Sequence, residues 1–436
     1  MTHTWSITGA AQDFGRPEAV VDNAGHANSG LTGQAADEDR PNGADVDSSR
    51  LFDGVAHRRQ PTVPIPRRSG SPLRDYVLHS LPTALDDLSN GNLTHHQLAD
   101  FQEQMLRDIT PRCLSEDDEG TARLLQLDLL FLLNGYAPAG PQAAPLALTG
   151  LVSAQCGRFP ALDPHLSYEL LIDVNCEEYR RSGDVRVFSA GRDAALERDF
   201  YLGHHLSEPW ARSAAYGLRS LLLPAAAARP AAVLDDVAES LVEFTRYMAR
   251  YRRLSQQAFN RFRPYHMGHP GGPRGASGAF MPSVHLLELA LLPPSEEYGI
   301  FLDQSMSYFP SWSRPVIARW RGDSVRGANV HQRLRDGRLV LDRADRDRLV
   351  RVIDRFVDFR MAHLGVTRHA LPEAFRDRTG LTRRGIREQG GEHGVLDGRD
   401  PGTSGFSVRH VLTNAVYRLL ALRADLAHPG SAPANQ

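Results

Sequence analysis

The 436-residue chain contains no lysine, so all 50 of its basic residues are arginine. That absence excludes Schiff-base chemistry and a Walker-type phosphate-binding lysine. Cysteine is almost as scarce. Cys113, Cys156 and Cys176 form no CxxC pair, which argues against a zinc ribbon and against a disulfide framework. No apolar run approaches the ~20 residues needed to span a bilayer. The formal net charge of -2 gives no bulk attraction to nucleic acid or anionic membrane. The opening stretch MTHTWSITGAAQDFG has neither a basic nor an apolar region of the signal-peptide kind. The expected setting is the cytoplasm, with reduced thiols.

What is present is enough apolar material for a large core, 41% of residues. Residues 1–72 are rich in Gly, Ala, Asp, Asn and Pro and carry little periodic apolar pattern. They read as a disordered arm and a proline-punctuated linker. From 73 to 428 helical patterns dominate, and the expectation is an all-α, single large domain packed around a central cavity, with a short disordered tail at 429–436. LTHHQLADFQEQMLRDI opens on a threonine N-cap. TARLLQLDLLFLLNGY is apolar nearly all round. Leu234, Val237, Leu241, Phe244, Met248 and Tyr251 recur at three- and four-residue steps. Only DVRVFSA and GRLVLDR alternate as strands do, and they predict at most a minor hairpin. Residues 378–403 are charged and glycine-rich, which reads as a mobile loop or lid between the last two helices.

FRMAHLGVTRHAL, residues 359–371, carries the chemical question. Leu349, Val352, Ile353, Phe356, Phe359, His363 and Val366 share one face of a helix, while Arg348, Arg351, Asp354, Arg355 and Asp358 fall largely on the other. His363 therefore points inward, where an imidazole must pair its nitrogens or lose solvation. Two readings stay open: a core histidine bonded to a backbone carbonyl, or an axial ligand to haem iron with an acceptor orienting its second nitrogen. His369 lies about 120° further round and nearer the edge of the stripe.

Two small-residue turns each precede a helix. GGPRGASGAFMP lacks a preceding strand, the GxGxxG spacing and a lysine, so it is not a nucleotide loop. Small residues there let backbone approach a flat cofactor. DPGTSGFSVRHVL repeats the device.

Taken in order, the segments LVEFTRYMARYRRLSQQAFNRFRPY, GASGAFMPSVHLLELAL, FLDQSMSYFPSWSRPVI, FRMAHLGVTRHAL and GTSGFS resemble motifs of the indoleamine and tryptophan 2,3-dioxygenase-like histidine-ligated haem superfamily. Within it the likeness is nearest to the monodechloroaminopyrrolnitrin synthase branch. It spans about residues 234–422. The resemblance implies haem b with His363 as the proximal ligand to iron. It implies cofactor contacts from Gly275, Ser277, Gly278 and Phe359. It implies substrate contacts from Arg263, Leu371, Thr403, Ser404 and Gly405. It also implies O₂ or peroxide as oxidant and a tryptophan-like aromatic amino acid as substrate, in secondary metabolism. Leu371 stands where that branch has a pocket tyrosine, so the substrate is expected to differ. Aromatic (tyrosine) hydroxylation and a non-catalytic haem sensor are the alternatives.

The remaining candidates carry weaker expectations. His204 and His205 are adjacent, so at most one faces a given cavity, and a surface position is favoured for the pair. His95 and His96 are expected to be solvated. Either His266 or His269 is a candidate to sit behind haem or substrate. Arg263 and Arg274 suit a carboxylate clamp or an ordinary salt bridge. Cys156 reads as a buried thiol.

Overall fold

Helix signals of this density predict helix packed on helix, and the protein follows them. A computed structural model describes residues 72–113, 118–223, 229–266, 278–370 and 414–427. All of these lie in one compact unit, His57–Gln436. A short helix at Pro72–Asp75 runs through a π-helical turn, Tyr76–Ser80, into α1 (Leu81–Ser89). The chain continues as α2 (His95–Cys113), α3 (Glu119–Asn134), α4 (Leu146–Arg158), α5 (Asn175–Ser182) and the 30-residue α6 (Gly191–Ser220). After these come α7 (Pro230–Met248), α8 (Gln256–His266), α9 (Pro282–Leu291), α10 (Glu296–Ser305), α11 (Arg314–Val325) and α12 (Val330–Arg335). The last two are α13 (Arg343–Ala370) and α14 (Asn414–Ala427). The all-α expectation holds among the described residues, none of which forms a strand.

The centre is built from α6, α7, α9 and α13. Helix α7 packs along both α6 and α13, and α9 packs along α6. Every residue of α9 is buried, as expected for a helix with no polar face turned to solvent. The stripe of α7 is buried as its spacing predicts, with Leu234, Val237, Leu241 and Phe244 almost free of solvent contact. Glycine sets one close approach. A Cβ at Gly203 of α6 would lie 2.5 Å from the Tyr251 hydroxyl, so the segment after α7 can settle there only against glycine. At the start of α2, Thr94 and Gln97 form the reciprocal capping pair: Thr94 N–H donates to Gln97 Oε1 (3.0 Å) and Gln97 N–H to Thr94 Oγ1 (3.2 Å).

The expected hairpin is absent. Residues 184–190 are extended, but buried side chains take the place of a partner strand. Asn175 accepts from Arg186 N–H (3.0 Å) and donates to Arg186 O (2.9 Å). The Glu197 carboxylate accepts from Phe188 N–H (2.9 Å) and Ser189 N–H (2.8 Å). Residues 337–342 are a helix cap and linker, with Arg338 and Leu339 N–H both bonded to Arg333 O. An alternating run needs a neighbouring edge to become sheet, and here helices occupy both flanks. The arm at 1–71, the loop at 378–403 and the tail at 429–436 lie outside the described residues.

Candidate functional site

Helix α13 delivers its apolar stripe to the core over Leu349, Val352, Ile353, Phe356 and Phe359, all buried, while the end of the stripe, His363 and Val366, is only half-buried. Phe359 packs its ring 4.2 Å from that of Phe244 and 5.9 Å from the His363 imidazole. His363, one turn on, is half-buried. Its Nδ1 is sealed from solvent and has no hydrogen-bond partner among the described residues. Burial, with smaller contributions from Arg360 and His204, holds its pKa down to about 3. At neutral pH the ring is uncharged and keeps a lone pair to give.

Other buried histidines show what a structural role looks like in this protein. His285 pairs Nδ1 with the Tyr298 hydroxyl (2.7 Å) and Nε2 with Ala279 O (2.8 Å). His266 is buried and bonded through Nε2 to the Tyr201 hydroxyl (2.7 Å), whose other partner is Glu197. His363 has neither kind of support. The carbonyl partner of the core-histidine reading does not occur among the described residues, nor does the acceptor expected behind a ligand.

The wall near His363 comes from α6. His204 is 9% exposed, which overturns the surface expectation. The helix has to bury one of the adjacent pair, and His205 instead lies at the half-buried edge, 3.8 Å from Asp173. His204 Nδ1 lies 2.8 Å from Phe200 O and 2.9 Å from the Tyr251 hydroxyl. A carbonyl can only accept, so Nδ1 carries the proton and Nε2 is an acceptor. Burial lowers the His204 pKa to about 4, which keeps that tautomer neutral. Gly278 stands in front of it: a Cβ there would come within 2.8 Å of Nε2. One turn along the same face is Glu208, 3% exposed. Its Oε1 accepts from Ser283 N–H (3.3 Å) and Ser283 Oγ–H and lies 3.7 Å from Arg212. Its Oε2 is sealed and unpartnered. Burial pushes the Glu208 carboxyl above the usual range. Tyr168 precedes the π-helical turn Glu169–Val174, and its ring lies edge-on to His204 at 6.2 Å. Its hydroxyl is likewise sealed and unpartnered.

Behind His363 is a second polar assembly. Arg360, 3% exposed, donates to Glu288 (2.7 Å), and Arg418 of α14 donates to the other oxygen of that carboxylate (3.2 Å). Helices α13, α9 and α14 are thereby joined one turn before the histidine.

The expected residues are thus partly gathered. His363, Gly278 and His204 belong to one neighbourhood, and Phe359 is core beside it. Arg263 is half-buried near the end of α8. Gly275, Ser277, Leu371, Thr403, Ser404 and Gly405, with His269 and Arg274, lie outside the described residues. Two minor expectations change. His95 is half-buried with a sealed Nε2 beside Tyr136, because the first turn of α2 turns that edge inward, while His96 is solvated as expected. Cys156 is half-buried rather than buried, since α4 turns it toward Gln126 at its rim. Sequence reasoning missed Tyr168, Tyr251 and Glu208. The last had a signal: Glu197, Tyr201, His204 and Glu208 advance by three and four along one face of α6. Among the described residues no group of three or more His, Cys, Asp or Glu could hold a metal ion. No family model and no curated protein matches the chain.

Proposed function

We propose that the chain holds haem b through His363 and acts as an oxidative enzyme on a tryptophan-like aromatic amino acid or a derivative of one. The single observation that carries this reading is His363 itself. It is held neutral with a sealed, unpaired Nδ1, and among the histidines that share such a nitrogen (His95, His165 and His331) it is the one in the segment that resembles the haem-ligand helix. The five motifs in the order of the histidine-ligated haem superfamily point the same way. A single imidazole suits haem, which brings four of its own ligands, where a bare ion would need more donors. Bound there, haem would supply the iron chemistry that activates O₂ or peroxide.

The residues of the chain do the rest. Helix α13 presents the imidazole, and the Arg360–Glu288–Arg418 assembly fixes the turn that carries it. Gly278, having no side chain, lets backbone come up against His204, where a Cβ would lie 2.8 Å from Nε2. The apolar faces of α6, α9 and α13 keep water out, which strengthens each polar contact inside. Ring oxidation or rearrangement is the favoured outcome and hydroxylation of a tyrosine-like ring the alternative. A second reading is a non-catalytic haem sensor, in which a second internal ligand would complete the iron.

The test is the absorption spectrum of the full chain expressed with haem supply, alone and with a panel of aromatic amino acids. A Soret band that shifts with the right amino acid, and that His363→Ala abolishes while helical content remains, supports the enzyme. A six-coordinate spectrum indifferent to every amino acid favours the sensor. Undiminished haem in the His363→Ala protein would remove the assignment.

A further inference from the structure

Three polar atoms on the α6 side of this neighbourhood lack partners among the described residues. Glu208 is asymmetric: Ser283 donates twice to Oε1 and Arg212 leans on the same oxygen, while Oε2 is bare although sealed. The Tyr168 hydroxyl is sealed and bare as well, on a residue 1% exposed. His204 offers the lone pair of Nε2 toward Gly278. His204 and Glu208 are one helical turn apart, about 5–6 Å between Cβ atoms. A bare carboxylate oxygen in a dry place costs free energy until a donor reaches it.

We infer that Glu208, Tyr168 and His204 form a receptor for a primary ammonium group, the amino end of an aromatic amine or amino acid. Three acceptors match the three N–H bonds of an ammonium ion. An indole N–H or a ring hydroxyl brings only one donor, and a water molecule brings two and no charge to offset the carboxylate. The groups facing Glu208 from its neighbours are Arg212 on its own helix, Ser283 on α9, and Tyr168 and Asp173 at the π-helical turn. Only Arg212 among these is cationic, and it lies beside Oε1. The charge of Oε2 is left for the ligand. This inference deepens the aromatic-substrate reading and rests on it only for the ring of the probe.

The experiment is calorimetric titration of the full chain, purified with haem supplied, at pH 8. The probes are tryptamine and tyramine, each set against its amine-free acid, indole-3-propionate and 4-hydroxyphenylpropionate. The expected result is binding of at least one amine, with its acid partner at least tenfold weaker. Glu208→Gln keeps the shape and the Ser283 contacts, and should weaken the amine at least tenfold while leaving the acid unchanged. Tyr168→Phe should weaken it about threefold, and carries the test alone if Glu208→Gln loses its circular dichroism. Overturning results are an acid that binds as tightly as its amine, no binding of either amine, or variants that bind amine as the parent does. Heat is detected with or without haem, so a colourless chain that still prefers amines would sink only the haem reading. A haem spectrum intact alongside indifference to amines would sink only this one.

Discussion

Breaking the ion pair between Arg360 and Glu288 is predicted to cost unequal amounts depending on which partner is removed. Both side chains are 3% exposed and 2.7 Å apart, and Arg418, itself partly accessible, reaches the same carboxylate at 3.2 Å. Glu288→Leu strands a buried guanidinium with no carboxylate, a loss of about 3–5 kcal/mol. Arg360→Met leaves Glu288 still paired with Arg418, so only one charged hydrogen bond is lost, about 1.5–3 kcal/mol. The double variant strands nothing in the interior. It should be no worse than Arg360→Met and clearly more stable than Glu288→Leu. At roughly 2 °C per kcal/mol for a domain of this size, Glu288→Leu should lower the thermal midpoint by about 6–10 °C. Thermal and urea unfolding of the four proteins, followed by circular dichroism, complete the cycle. If the double variant loses the sum of the two single losses, the residues are not coupled and the assembly is not the clamp on α13 described above.

Four further outcomes follow. His363→Ala should remove stoichiometric haem while preserving helical content, read by absorption and circular dichroism. Glu208→Gln should weaken amine binding at least tenfold in the calorimetric titration and spare the amine-free acids. In haem-free protein, stability should fall with acid. An unfolded histidine titrates near 6.5, whereas His204 and His363 titrate at about 4 and about 3 in the fold. The fold therefore binds fewer protons over that interval, and stability present above pH 6.5 drains away as pH drops toward 4 and then 3. Half-burial makes about 1.4 kcal/mol per pH unit an upper bound for the His363 share. His363→Ala should flatten the pH dependence of the urea midpoint, and an unchanged slope would refute the assignment. Gly203→Ala should destabilise by about 1–3 kcal/mol, because its Cβ meets Tyr251 at 2.5 Å. Gly365→Ala, which meets nothing within 4 Å on α13, should stabilise by about 0.5–1 kcal/mol. Thermal midpoints moving in the same direction for both would contradict the packing.

The helices were legible because their apolar residues recur at the helical period over long segments. Thr94 marked the start of α2, and the stripe of α13 is buried as far as Phe359, with His363 half-buried beyond it. The alternation in 184–190, which allows at most a minor hairpin, records burial on both sides and not a partner strand. Only the fold reveals that Asn175 and Glu197 satisfy that backbone. Whether His204 or His205 turns inward is a matter of how α6 is rotated, and adjacent identical residues carry no information about that. The unpaired atoms of Tyr168 and Glu208 could not be read at all. A side chain without a partner is defined by what surrounds it, and its surroundings come from α9 and the π-helical turn, far away in the sequence.

One consequence follows from α6. At 30 residues it rises about 45 Å along its path, with Pro209 inside it, and this one helix bears Glu197, Tyr201, His204 and Glu208 in fixed order ahead of the proline. None of the four can be shifted without carrying the other three, as teeth on a key cannot be moved one by one. Diversification toward new ligands would therefore have to proceed on the facing parts, at Tyr168 and Gly278, with the key itself left uncut.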